Sequence, residues 1–187
     1  MENGGRLALR NADIYGGTNQ VIANSGSALF VDNCVMLDAT DHAIQVHGNV
    51  VTGDPQAILC RDTKITRAKN GILISENPNN HLIDNVQIGD SPEAETNIGI
   101  AIYKSSAIVQ NSLINSNSGL FLIEANGAII RNNPSINYNE FGIFAWRSNN
   151  LLVEGNLIGH PFKESHCLLY TSPSPRDQRG SRMPSSA

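Results

Sequence analysis

Residues 98–123 read IGIAIYKSSAIVQNSLINSNSGLFLI, and this stretch holds one complete turn of a repeat. It contains a Gly-led apolar block (99–102, GIAI) and a second apolar run ending on Asn111 (107–111, AIVQN). An apolar residue follows at 114, and then the Gly-led block returns as GLFL at 119–122. Each apolar block is about four residues long and alternates, which suits a short strand, and no segment between them is long enough for a helix.

The same turn recurs along the chain. LALRNADI (7–14), LFVDNCVM (29–36), ILCRDTKI (58–65), HLIDNVQI (81–88), AIVQNSLI (107–114), AIIRNNPSI (128–136) and LLVEGNLI (151–158) are seven copies of the Asn-centred block. Their central residues are Asn11, Asn33, Asp62, Asn85, Asn111, Asn132 and Gly155, spaced by 22, 29, 23, 26, 21 and 23. Between them stand QVIA, AIQV, GILI, GIAI, GLFL and GIFA, beginning at Gln20, Ala43, Gly71, Gly99, Gly119 and Gly142. A strand unit this short cannot bury its apolar face alone, so successive units must stack, and irregular steps about one mean place insertions in the bends. The expectation is an all-β, right-handed parallel β-helix of six to seven coils. Ile72, Ile74, Ile100, Ile102, Leu120 and Leu122 should fill the bore. The leading Gly should adopt positive φ, and the Asn residues should form an inward amide ladder weakened at Asp62 and Gly155. A leucine-rich horseshoe fits less well, because this chain uses Ile and Val and two strand blocks per repeat.

Composition narrows the function classes. The chain has 187 residues, 40% apolar and 16% charged, with 13 Lys plus Arg against 17 Asp plus Glu. A formal charge of −4 argues against a nucleic-acid groove, and no apolar run is long enough for a membrane span. From Cys167 onward the sequence CLLYTSPSPRDQRGSRMPSSA departs from the repeat. Reverse-translated, 167–177 and 181–187 resemble the ends of a transposase adapter used in DNA sequencing libraries, so 1–166 is expected to be the β-helix and 167–187 a disordered, non-native tail. Without that tail, 10 basic and 16 acidic residues remain, or −6, with Cys34 and Cys60 too few for a disulfide scaffold. Met1 lies so near the first repeat that flanking coils of the same chain are expected to be missing.

The NGILI (70–74), IGIAI (98–102) and SGLFL (118–122) blocks with their following bends resemble right-handed β-helix repeat proteins of the pectin-lyase-like superfamily, over about residues 6–160. That resemblance implies a carbohydrate-active protein outside the cytoplasm (extracellular, cell-surface or periplasmic) that binds, cleaves or epimerises an acidic polysaccharide, by lyase or epimerase chemistry in preference to hydrolysis. The other class it admits is a non-catalytic surface, adhesion or structural binding module, since fold does not give function. The paired-Asp motifs of polygalacturonases and a pectate-lyase or epimerase signature are not found.

Aligning the Gly-led strands yields the candidate sites. Tyr103, Phe121, Phe144 and Trp146, with His47 in the same outward columns, form a candidate glycan-stacking face, or a patch covered by a partner. Directly after them come Glu76, Lys104, Glu124 and Arg147, which alternate in sign from coil to coil. They read as an ion-pair ladder, or as the acid and base of uronate chemistry. No cofactor is implied, with Ca²⁺ as the one option, through Asp90, Glu93 and Glu95 in the acidic insertion. His47, His81 and His160 lack metal-ligand spacing, and no serine-nucleophile or phosphate-loop motif is present.

Overall fold

The computed structural model describes residues 5–25, 27–48, 58–77, 80–90, 96–159 and 169–171. They form a right-handed parallel β-helix in which every strand pairing is parallel and joins residues one coil apart. One seven-stranded sheet is built from Arg6–Arg10, Ala28–Asp32, Ile58–Arg61, Asn80–Asp84, Ser106–Gln110, Ile129–Arg131 and Leu152–Glu154. A second sheet of twelve strands holds Asn19–Ala23 and His42–His47 and the Gly-led blocks Asn70–Ser75 and Ile98–Tyr103. The short strands Asp13–Tyr15, Val35–Leu37, Lys64–Thr66 and Gln87–Ile88 join the same sheet because the later strands Leu113–Ile123 and Ser135–Trp146 run through the bend that separates the two rows.

The alternating pattern fills the bore in straight columns. Val21, Ile44, Ile72, Ile100, Leu120 and Ile143 stack in register, and Ala23, Val46, Ile74, Ile102, Leu122 and Ala145 form the adjacent column. All twelve are buried. At about 1.5–3 kcal/mol per large aliphatic side chain, these columns are the main stabilising term, and each coil gains them only because its neighbour is present.

The glycines act differently from the expectation. Gly71, Gly99, Gly119 and Gly142 are absent from the positive-φ residues and lie inside strands. Their requirement is space: a Cβ on Gly99 would sit 2.5 Å from Ile114 Cγ2 and 2.7 Å from the Gly119 carbonyl oxygen. The coil backbones approach too closely at this column for any side chain.

Positive φ falls instead on the bends, and on residues with side chains. Asn11, Asn33, Asp62, Asn85, Asn111 and Asn132 all stand at φ between 49° and 53°. In this left-handed conformation, which Asn and Asp tolerate best, Asn33 N–H donates to the Arg61 carbonyl, Asp62 to Asp84 and Asn85 to Gln110. Their side chains are exposed, so the amide ladder is on the outer corner and not in the bore. Asn33 Nδ2 donates to Asn11 Oδ1 at 2.8 Å, and Asp62 continues the ladder by accepting from Asn85 Nδ2 at 2.6 Å. Asp62 thus serves the rung towards Asn85, but a carboxylate has no proton to donate to Asn33, so the ladder is interrupted between Asn33 and Asp62. Gly155 has no side chain to offer.

The inward polar contacts are made one residue later. Thr63 Oγ1 accepts from Cys34 N–H, Ser112 Oγ from Val86 N–H, Asn133 Oδ1 from Ser112 N–H and Asn156 Oδ1 from Asn133 N–H. Each satisfies a backbone donor that the turn would otherwise bury unpaired. In 167–187, the residues Leu169–Thr171 form a strand paired with Ile143–Ala145, so at these three positions the repeat continues where a disordered tail is expected. The rest of that segment lies outside the described residues.

Alanine at Gly99 therefore has to displace the Gly119 backbone and should cost about 1–3 kcal/mol, whereas alanine at Gly159, where nothing lies within 4 Å, should fall within about 0.5 kcal/mol of the parent. Urea denaturation of the two variants checks the contrast.

Candidate functional site

The outward face of the twelve-stranded sheet carries the aromatic residues. Phe121 and Phe144 are paired in register and stack with ring centroids 4.6 Å apart at 20°, and Phe141 tilts against Phe144 at 5.7 Å. The next column places Ser75, Tyr103, Ile123 and Trp146 side by side, with Trp146 37% exposed. The four predicted aromatics thus share one face, with Phe121 and Phe144 in contact and Tyr103 separated from Trp146 by Ile123. His47 is in Tyr103's column but two coils away. There its Nδ1 meets Ser75 Oγ at 2.9 Å and its Nε2 is 3.8 Å from Glu76.

At the edge of this face the chain turns through a second left-handed corner, occupied by Glu76, Lys104, Glu124 and Arg147 at φ of 54°, 47°, 51° and 51°. Glu76 N–H donates to the Tyr103 carbonyl, Lys104 to Ile123 and Glu124 to Trp146. The buried donor that follows is again met by a small hydroxyl, Ser105 for Asn77 N–H and Ser148 for Ala125 N–H. The four charged side chains make an ion-pair ladder, Lys104 Nζ to Glu76 at 3.8 Å and Arg147 to Glu124 at 4.0 Å. Each cation also covers an aromatic ring: Lys104 Nζ lies 4.9 Å from the Tyr103 centroid, and Arg147 Cζ lies 4.3 Å from that of Trp146. The Tyr103 side chain, with Glu76 and Glu124 adding charge, raises the Lys104 pKa above the ordinary lysine value. A lysine held protonated serves as a fixed positive charge and not as a proton acceptor.

The polar bend before the Gly-led strands is likewise occupied by pairs. Arg67 donates to both oxygens of Asp38, at 2.6 and 3.0 Å, and holds that carboxyl below its usual pKa. Lys64 Nζ lies 2.7 Å from Asp90, so the one described member of the calcium set is committed to a cation. Glu93 and Glu95 lie outside the described residues, as does His160.

Metal donors are scattered. Cys34 and Cys60 are buried free thiols, and burial pushes the Cys60 thiol up to about 12. His81 projects into the bore in the column between Ile58 and Ala107, 1% exposed, with the Asn77 backbone as a polar neighbour. Desolvation lowers its pKa to about 4, opposed by the nearby Asn77 backbone. Among the described residues no group of three His, Cys, Asp or Glu side chains converges, and no helix is long and apolar enough to cross a membrane.

Compared with known proteins, the chain is matched over residues 7–172 by one family model, described as periplasmic copper-binding protein (NosD). No curated protein and no solved structure matches it. The match agrees with a location outside the cytoplasm. It overturns the carbohydrate-active reading: the polysaccharide partner and the lyase or epimerase activity came from the pectin-lyase-like resemblance, and coil periodicity specifies a β-helix without specifying its ligand. It also corrects the cofactor expectation, since the family's description names copper where none, or calcium, was expected. The shared ground with the sequence reading is the parallel β-helix itself.

His81 sets an acid limit on stability. A neutral ring buried at a pKa of about 4 is protonated more readily in the unfolded chain, near 6.5, so stability falls as pH drops from about 6.5 towards 4. His81→Leu should flatten this part of the stability-against-pH profile, measured by urea denaturation.

Proposed function

The chain belongs to the NosD family, and from that premise we propose that it is a non-catalytic binding module of periplasmic copper handling, which holds a copper-carrying protein against the aromatic face of its twelve-stranded sheet. The observation that carries this reading is the contrast between that face and the metal donors. Phe121, Phe144, Tyr103 and Trp146 offer a rigid row of rings rimmed by Lys104 and Arg147, the residue types that anchor protein interfaces.

The described residues do not fit a resident copper ion. Copper is held by thiolate, thioether and imidazole donors, usually three or more with matched geometry. Here Cys60 resists forming the thiolate. Cys34 and Met36 are sealed in the core, His81 is enclosed alone, and His47 meets one carboxylate only. In this reading copper is cargo kept by the partner's ligands, and the β-helix supplies a stiff surface of fixed spacing. Outward side chains repeat every ~4.8 Å along the stack, so the pattern of rings and charges stays constant without any loop having to order on binding, which lowers the entropic cost of association.

Replacing both Phe144 and Trp146 by alanine should abolish copper loading of the partner protein in cells that depend on this chain, measured by metal analysis of the purified partner, with the circular dichroism of the variant unchanged. His47→Ala should load copper normally. Loss of loading on His47→Ala with the aromatic double variant fully active would overturn the proposal, as would stoichiometric copper retained by the isolated chain against a strong copper chelator.

A further inference from the structure

The seven-stranded sheet presents an outward face that the proposed function does not use. One column of residues that points away from the bore is, in register, Ala8, Phe30, Leu59, Leu82, Ile108, Ile129 and Leu152. Every member is apolar and none is fully buried, and Leu152 is 43% exposed. Six inter-strand steps make this spine about 29 Å long. An uninterrupted outward apolar column of this length is a patch that soluble proteins keep for an interaction.

Beside the spine runs a second column, two residues further along each strand. It reads Arg10, Asp32, Arg61, Asp84, Gln110, Arg131, Glu154. Within the chain some of these are neighbours in pairs: Arg61 donates to both oxygens of Asp32 at 2.9 and 3.1 Å, and Arg131 donates twice to Gln110 Oε1. The order of signs has a further property. Reversed end to end about Asp84, it meets its own opposite: Arg10 faces Glu154, Asp32 faces Arg131, and Arg61 faces Gln110. A shift by one strand one way sets Arg10 on Arg131 against Arg61 on Asp84, which cancel, and the other way sets Asp32 on Glu154 and Arg61 on Arg131, which repel.

We propose that this face is a homodimer interface, in which two copies pack their seven-stranded sheets face to face about a two-fold axis that runs parallel to the strands, midway between the two sheets and over Asn80–Asp84. Such an isologous contact needs a self-complementary surface, and the charge column supplies one in a single register. The spine is complementary under the same operation: Leu82 meets Leu82 of the second copy, Leu59 meets Ile108, Phe30 meets Ile129, and the small Ala8 meets the protruding Leu152. The like pair on the axis, Asp84 with its symmetry mate, is relieved in two ways. Asp84 Oδ1 accepts from Asn111 Nδ2 at 2.8 Å within its own chain, and the Arg61 of each copy stands one rung away. The two outward columns, ~7 Å apart and each about 7 Å wide, span about 13 Å, so the contact buries roughly 800 Å² over both copies, at the weak end of specific interfaces. The dimer is therefore expected to be concentration-dependent, with a Kd in the micromolar range.

Sedimentation equilibrium of the full chain tests this. The mass should rise from 20.2 kDa towards twice that value as concentration increases through the micromolar range. Leu82→Glu should weaken association at least tenfold with circular dichroism unchanged. Arg10→Glu, at an exposed position on a terminal strand, should also weaken it, and adding Glu154→Arg should restore it, a rescue that no loss of folding can mimic. A monomer at every concentration overturns the proposal, and so does a dimer indifferent to Leu82→Glu. Failure of the charge swap to restore association overturns the two-fold register and with it the proposal.

Discussion

Everything in this molecule depends on the corner residue in the left-handed conformation. Its N–H donates to the carbonyl of the strand end one coil on, which keeps the inter-coil ladder unbroken where the chain turns. The residue after it points inward, and where it is Ser, Thr or Asn its side chain accepts the next backbone donor down the stack. A buried unpaired donor costs about 1–3 kcal/mol, so these corners, two or three to a coil and repeated through the stack, decide whether the bore can be closed at all. The apolar columns supply the driving force, and the corners make it possible to collect it.

The same device fixes what the surface presents. Glu76, Lys104, Glu124 and Arg147 are charged residues placed at a strained backbone position that favours glycine or asparagine. Their side chains lie back over Tyr103 and Trp146 or pair along the ladder. The corner thereby couples a backbone requirement to the rim of the aromatic face. On the opposite sheet the bidentate pair of Arg61 with Asp32 occupies the rung just before the Asn corner. Exposed pairs of this kind contribute little to stability, and their regular order of sign matters more for what can approach the face.

A family described by copper does not require copper ligands in each member's coils. The buried thiols, the enclosed His81, His42 beside Asp41 and His47 beside Glu76 are where a metal reading would begin, and the thiols and His81 are explained by packing. Cys34 and Cys60 fill positions that other coils give to Thr, Ser, Val or Ile, and His81 occupies the place of Ile58 and Ala107 in neighbouring coils. The charged and aromatic surface columns are what remain unexplained by packing.

The sequence by itself determined the architecture. Seven Asn-centred blocks and six intervening strands, four of them led by Gly, must stack, because a four-residue strand has no core of its own. It also placed Tyr103, Phe121, Phe144 and Trp146 on one face, since alternation within a strand is enough to sort sides. Three matters were decided only by the tertiary structure. The glycines at 71, 99, 119 and 142 are required by the distance between coils, a quantity that no single coil contains. The Asn ladder is exposed and the polar contact to the bore belongs to the following residue, because the left-handed corner rotates the chain by one position. The apolar spine from Ala8 to Leu152 is hidden within runs such as LFV and AIV, whose middle residue reads as core until the strand is laid in its sheet and the pleat turns it outward.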